Sequence, residues 1–225
     1  MSEKYDVLIV GGGMVGCAVA LGLAQNGVKV ALFEKQAPDV SWSDNEPYQP
    51  RVSALTRASE NLLRNLGAWA GIERRRAHPF VSMRIWEAAT DAEVNFDAAS
   101  VNESNLGYVV ENNVIQAALW EQLEAAGVRV YCGLSIEKLE SRNHQAWLLT
   151  DQGEFQAQLL VGADGAFSRV RQLAGIGLDQ HDYEQCAVVG CVRTKAPHQD
   201  TCWQRYREQG PFAYLAMENN VSSIA

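Results

Sequence analysis

The residues richest in chemical possibility stand near the start of the chain, where Gly11-x-Gly13-x-x-Gly16 follows the apolar run Tyr5 to Val10 and Glu34 closes a second run, Val28 to Phe33. Glycines at that spacing let a chain turn tightly out of a strand, bring its backbone against a pyrophosphate and pack a helix close to the strand. The helix start adds unpaired N–H groups and the positive end of the helix dipole, both suited to an anion. Glu34, 23 residues after Gly11, offers a carboxylate to the hydroxyls of an adenosine ribose. The same carboxylate would face a 2′-phosphate without compensation, which argues against NADP at this position. The candidate cofactor contacts here are Gly11, Gly13, Met14, Val15, Gly16, Glu34 and Lys35.

These residues need a strand–turn–helix–strand unit to present them together, and their neighbours spell one. Tyr5 to Val10 reads as a strand buried on both faces of a parallel sheet. Val15, Ala18, Val19, Gly22 and Leu23 fall on one helical face, and Asn26-Gly27 ends the helix. Val28 to Phe33 reads as the second strand. The uncharged stretch Val7 to Val28 is long enough for a membrane span. Gly11, Gly12, Gly13, Gly16 and Gly22 interrupt it, and Glu3 and Asp6 precede it, so a soluble unit explains it better. By its physics alone the unit fits FAD or NAD equally well.

Further along, the spacing predicts strands between 81 and 97, a helix over 112–126 and a strand over 128–132. A β-meander follows, of Ile136 to Leu139, Ala146 to Thr150 and Phe155 to Val161, with Asp151-Gln-Gly153 as its last turn. Leu159 to Val161 reads as buried. Ser168 to Ala174 reads as a short helix whose first turn can meet phosphate, with Arg171 pairing a carboxylate to hold the loop before it.

Composition removes several classes of function. With 19 basic against 27 acidic residues the net charge is −8, which denies the chain the electrostatic footprint of a nucleic-acid binder. Cysteines at 17, 132, 186, 191 and 202 are odd in number and contain no Cys-x-x-Cys, which fits a reducing cytoplasm rather than a disulfide framework. Histidines at 78, 144, 181 and 198 are scattered among unlike segments, and no metal site is expected.

Three further stretches carry a resemblance: Arg51-Val-Ser-Ala-Leu-Thr, the run from Glu111-Asn112-Asn113 to Trp120, and Gly162-Ala-Asp164-Gly165-Ala-Phe-Ser168-Arg-Val-Arg171. They resemble the class A flavoprotein aromatic hydroxylases. Among these the chain is most similar to the ubiquinone-biosynthesis hydroxylases, especially the branch acting on 2-octaprenyl-3-methyl-6-methoxy-1,4-benzoquinol. The likeness runs along essentially the whole chain, including Leu66-Gly67-Ala-Trp69, His78-Pro79 and Gly107-Tyr108. It implies bound FAD, with Asp164 and Gly165 near its pyrophosphate and helping to accommodate the nicotinamide donor. It also implies flavin contacts at Arg51 and at Asn112, which stands where wider relatives carry Arg or Gln. Phe167 stands where close relatives often have Asn.

The implied fold is α/β: a Rossmann-like FAD-binding domain with a β-meander over 1–76 and 108–180, plus part of a mixed-sheet substrate domain over 77–107 and 181–225. Trp86, Phe96, Trp203, Tyr206, Phe212 and Tyr214 belong to that sheet and read mostly as core. Relatives continue past residue 225 to a third, Gly-Asp-rich signature and a helical region, so the chain reads as the truncated, N-terminal portion of the family fold. The implied activity is a monooxygenase in which NAD(P)H reduces the flavin and oxygen from O₂ passes to a prenylated benzoquinol; no general base or nucleophile need then appear in the sequence. The prenylated substrate implies a cytoplasmic protein with a peripheral contact to the membrane or to a ubiquinone-biosynthesis complex. A flavin oxidase or dehydrogenase built on the same unit stays open, as does a fragment that keeps the dinucleotide cleft without turnover.

Overall fold

Four consecutive apolar residues, Val7–Val10, form a strand with parallel neighbours on both sides, Leu159–Gly162 and Val30–Glu34; Arg129–Cys132 completes a four-stranded parallel sheet. Leu8 and Ile9 point to opposite faces and both are fully buried, which is why the run shows no polar alternation. The helix Met14–Ala24 packs on Val30–Glu34. It ends as Asn26-Gly27 leads one to expect: Gly27 takes φ +79°, its N–H reaches the Ala24 carbonyl, and the Val28 N–H reaches that of Leu23. The second strand starts two residues later than the sequence suggests and includes Glu34, because the Lys29 N–H is taken by the Asp6 carboxylate at 2.8 Å.

The computed structural model describes residues 3–225. They divide into two units, one of residues 3–41, Leu66–Ala68 and Gln116–Asp182, the other of Trp42–Asn65, Trp69–Ile115 and Tyr183–Ala225. In the first, Leu8, Val10, Ala31 and Phe33 pack against Leu148, Phe155 and Ala157 of an antiparallel meander, Ile136–Arg142, Gln145–Thr150 and Gly153–Ala157. Phe33 stacks on Tyr131 with centroids 5.2 Å apart and meets Phe155 edge-on at 4.8 Å. The expected strand Phe155 to Val161 is two strands. Gly153–Ala157 stays in the meander, and Leu159–Gly162 joins the parallel sheet after the Gln158 and Leu159 N–H groups turn to the Asp6 carbonyl. That second piece is a sheet edge and Leu159 is exposed, not buried as its composition suggests.

The second unit holds a six-stranded mixed sheet in the order Gly190–Arg193, Val221–Ile224, Phe212–Met217, Thr201–Tyr206, Ser82–Glu87, Glu93–Asp97. Thr201–Tyr206 runs parallel to Ser82–Glu87 and every other pair is antiparallel. A three-stranded antiparallel sheet, Val52–Thr56, Gly107–Glu111 and His78–Phe80, lies beside the helices Arg57–Asn65 and Trp69–Arg75. The α/β class and the additional mixed sheet agree with the sequence reading. The aromatic residues of that sheet do not form its core. Phe96 and Tyr206 are 49% and 45% exposed, and Trp203 lies edge-on to Trp86 at 6.2 Å beneath the Arg84 guanidinium.

Leu8→Ala should therefore cost about 2–5 kcal/mol, read as a lowered denaturation midpoint, because the parallel sheet is covered on both faces. Leu62→Ala, on an exposed helix face, should stay within about 0.5 kcal/mol of the unsubstituted protein.

Candidate functional site

At the carboxyl end of Val7–Val10 the chain turns at Gly11 with φ +109°. The turn is forced by neighbours: a Cβ on Gly11 would overlap the Ala163 carbonyl and come within 2.8 Å of the Asp164 nitrogen. A Cβ on Gly16 would overlap the Gly11 carbonyl, and one on Gly12 would strike the Trp120 ring and stand 3.1 Å from the Glu34 side chain. Gly13 is different. Its φ of −73° suits any residue and a Cβ there meets nothing within 4 Å, so its missing side chain leaves open space beside the helix start. No side chain caps this helix, which leaves its first-turn N–H groups turned toward that space without a capping acceptor.

Glu34 is partly buried and fastens the loop. Its Oε2 accepts the Gly12 N–H, and its Oε1 accepts those of Lys35 at 2.8 Å and Gln36 at 3.3 Å. A carboxylate has about four lone-pair sites, so roughly one is left for a ribose hydroxyl. The carboxylate that the sequence offers to a ribose is thus largely occupied already: Glu34 serves the fold as well as any ligand. The Gly12 carbonyl is held in turn by Gln116 Nε2 at 2.9 Å and by the Cys17 thiol at 3.3 Å. Burial, with a smaller contribution from the Glu34 charge, pushes that thiol up to about 12, which keeps it a hydrogen-bond donor.

Across the glycine loop, Asp164 organises the turn that follows Leu159–Gly162. Its Oδ1 accepts the Ser168 hydroxyl and its Oδ2 the N–H groups of Arg169 at 2.6 Å and Val170 at 3.1 Å. Ser168 Oγ takes the Arg171 N–H at 3.0 Å. The first-turn donors of Arg169–Leu173 are thus consumed inside the loop, and the expectation that this short helix receives a phosphate does not hold. Arg171 does brace the loop, through the Ala166 carbonyl at 2.9 Å rather than through a carboxylate. Burial alone would raise the Asp164 pKa, but the Ser168 hydroxyl and the backbone N–H groups outweigh it and hold the carboxyl below its usual range.

Gly11, Gly13, Glu34, Lys35, Asp164 and Gly165 together line one cleft of about 920 Å³, near the upper end of the roughly 300–1,000 Å³ common for ligand sites. Lys35 and Arg169 bring positive charge to it; Phe33, Leu134, Ile136 and Phe167 give it apolar walls. Met14, Val15 and Gly16 form the first helical turn and are not part of the lining. The sequence reading missed Gln116, Arg169 and the segment Leu134–Ile136. Gln116 had a signal, since it lies one helical turn before Trp120.

Arg51 and Asn112 belong to the second unit, where the Asn112 N–H meets the Arg51 carbonyl at 3.0 Å and the Ser53 hydroxyl donates to Asn112 Oδ1 at 2.7 Å. The histidines are less scattered in space than in sequence. His78 Nε2 meets Asp200 Oδ1 at 2.9 Å, while His198 accepts the Asp200 N–H at Nδ1 and faces the Met217 carbonyl with Nε2. Both ring nitrogens of His198 are engaged within the protein, so this group is a hydrogen-bonded corner.

Because Asp164 is held ionised below its ordinary pKa, its contribution to stability is full above about pH 4 and is lost as the pH falls through its folded value. Asp164→Asn should cost about 1–3 kcal/mol near neutrality. The gap in thermal midpoint between the two proteins should hold steady above about pH 4 and narrow as the pH falls further; a gap that stays constant on acidification would contradict the ionised role.

Comparison with known proteins accords with this geometry. The chain is 41% identical over 225 residues to 3-demethoxyubiquinol 3-hydroxylase of Escherichia coli (strain K12), covering 99% of this chain and 57% of that protein. It is 36% identical over 236 residues to the human mitochondrial ubiquinone biosynthesis monooxygenase COQ6, covering 98% of this chain and 50% of that protein. The chain thus spans about half the length of these relatives. In structure it is similar to pqsL, a probable FAD-dependent monooxygenase from Pseudomonas aeruginosa, with a TM-score of 0.81 at 19% identity over 99% of this chain and 60% of that one. It is likewise similar to p-nitrophenol 4-monooxygenase PnpA from Pseudomonas putida DLL-E4, with a TM-score of 0.74 at 18% identity over 100% of this chain and 57% of that one. The model of the FAD binding domain matches residues 4–224, and with its glycine loop, acidic strand end and second loop in place, the chain belongs to the FAD binding domain family.

Proposed function

We propose that these residues form the FAD-holding, N-terminal portion of a monooxygenase that uses NAD(P)H and O₂ to hydroxylate a prenylated benzoquinol ring in ubiquinone biosynthesis. The observation that carries the reading is Gly13, the loop glycine whose absent side chain opens onto the cleft instead of making room for the protein's own packing. In this reading the N–H groups of Gly13, Met14 and Val15 face the pyrophosphate, and Gly11 and Gly16 allow the turn that aims them. Glu34 accepts one ribose hydroxyl, Lys35 adds positive charge, and Asp164-Gly165 supply the opposite wall. Arg51 and Asn112 contact the flavin, Arg51 with a rigid donor fork that suits carbonyl or phosphate oxygens.

When bound, the flavin carries electrons from the nicotinamide to O₂ and delivers oxygen to the ring. The protein's task is to bind, orient and keep water away. The similarity to a 3-demethoxyubiquinol 3-hydroxylase and to a ubiquinone biosynthesis monooxygenase supports the quinol substrate. No helix among the described residues is long and apolar enough to cross a membrane. From the prenyl chain of the proposed substrate we infer a peripheral contact, with the membrane or with a partner in the same pathway, through which it is collected.

The test is a titration of the apo chain with FAD, followed by flavin fluorescence quenching. Gly13→Asp fits the backbone and should leave the thermal midpoint unchanged, yet weaken FAD binding at least tenfold, about 1.4 kcal/mol, by placing a carboxylate in the pyrophosphate's space. Gly11→Ala should lower the thermal midpoint itself. Full FAD affinity in Gly13→Asp would overturn the site. Hydrogen peroxide release without ring hydroxylation, by the protein at its relatives' length, would favour an oxidase.

A further inference from the structure

Within the second unit, residues 42–51 contain no helix or strand, so the position of Arg51 depends on a few anchors. The principal one is Arg76, whose guanidinium lies between the rings of Trp42 and Tyr48, at 4.6 and 4.2 Å from their centroids. Its Nη2 donates to the Glu46 carbonyl at 2.7 Å, and its Nε stands 3.3 Å from Glu111 Oε2. Glu111 is 1% exposed, and its other oxygen accepts the Gln49 N–H at 2.7 Å. Gln49 is two residues from Arg51, Glu111 is adjacent to Asn112, and the Asn112 N–H bonds the Arg51 carbonyl. The anchors therefore close a ring, from Arg76 through Glu111 and Gln49 to Arg51, Asn112 and back to Glu111.

A buried ion pair is weak evidence for stability, since two charges must leave water and apolar residues of the same volume often serve as well. What this pair adds is direction. The flat guanidinium lies against two rings, donates to the Glu46 carbonyl through Nη2 and turns its Nε toward the Glu111 carboxylate, a set of contacts that an ammonium cannot reproduce. We propose that Arg76 is a positioning residue for cofactor binding, acting through Glu111 and the arm Trp42–Arg51 to fix Arg51 and Asn112 in the orientation that meets the flavin. The proposal rests on the reading of those two residues as flavin contacts. Arg76 itself is buried.

Three single variants of the whole chain, Arg76→Lys, Glu111→Gln and Arg51→Ala, and the double variant Arg76→Lys/Arg51→Ala decide it. In the apo protein, chymotrypsin should cut at Trp42 and Tyr48 several-fold faster in Arg76→Lys and Glu111→Gln than in the unsubstituted chain. In FAD titrations each single variant should bind about tenfold more weakly, and the loss in the double variant should fall well short of the product of the two single losses, since the clamp acts in part through Arg51. Glu111→Gln, which keeps an acceptor for Gln49, supplies the reading should Arg76→Lys fail to fold. Weakened binding in Arg51→Ala with unchanged binding in both clamp variants overturns the clamp alone, as does a fully additive double variant. Unchanged binding in Arg51→Ala overturns the flavin assignment of Arg51, and the clamp with it.

Discussion

The cleft exists because backbone approaches backbone where no Cβ fits. The Ala163 carbonyl sits against Gly11, the Gly11 carbonyl against Gly16, and the Trp120 ring against Gly12. These contacts bring the start of the helix Met14–Ala24 and the turn after Leu159–Gly162 within reach of one ligand. A methyl group at any of the three would push those elements apart, and the cleft would lose a wall before it lost a contact residue. Gly13 has no such duty, so its openness is a feature of the binding surface and not of the packing.

Two carboxylates hold the cleft's movable parts. Glu34 ties the glycine loop to the end of its strand, and Asp164 ties the second loop to the helix that follows. Each spends most of its accepting capacity on the protein. For Glu34 this leaves roughly one lone pair for a ribose, against the full carboxylate that sequence reasoning assigns to it. For Asp164 it means that the second signature shapes the cleft wall from behind. Acidic residues beside an anionic pyrophosphate are tolerable on these terms, since backbone N–H groups already balance their charge, and Lys35 and Arg169 face the same cleft.

Much of this was legible in the sequence because local spacing encodes it. The strand, glycine turn and helix follow from periodicity and from three glycines, and the helix end at Gly27 follows from the need for positive φ. What periodicity could not show is a decision made by distant backbone. Phe155 to Val161 looks like one strand, yet the Asp6 carbonyl splits it between two sheets. The donors of the helix after Ser168 look available in one dimension and are consumed by Asp164 in three. His78 and His198 come together only because Asp200 turns between them. The exposed Phe96 and Tyr206 show the limit of composition, since a strand face rich in aromatics looks the same whether it lines a core or a surface.

The placement of Arg51 follows from the same logic of anchoring. A long segment without secondary structure has many conformations to lose, and an arginine at its end would be a poor binding group unless that loss were met before any ligand arrived. Stacking Arg76 between Trp42 and Tyr48 and joining Glu111 to Gln49 meets it in the apo protein, using groups of the second unit alone. Rigidity is therefore supplied twice by unlike means: in the first unit by glycines that admit backbone contact, and in the second by a buried charge pair that compels a loop to one course.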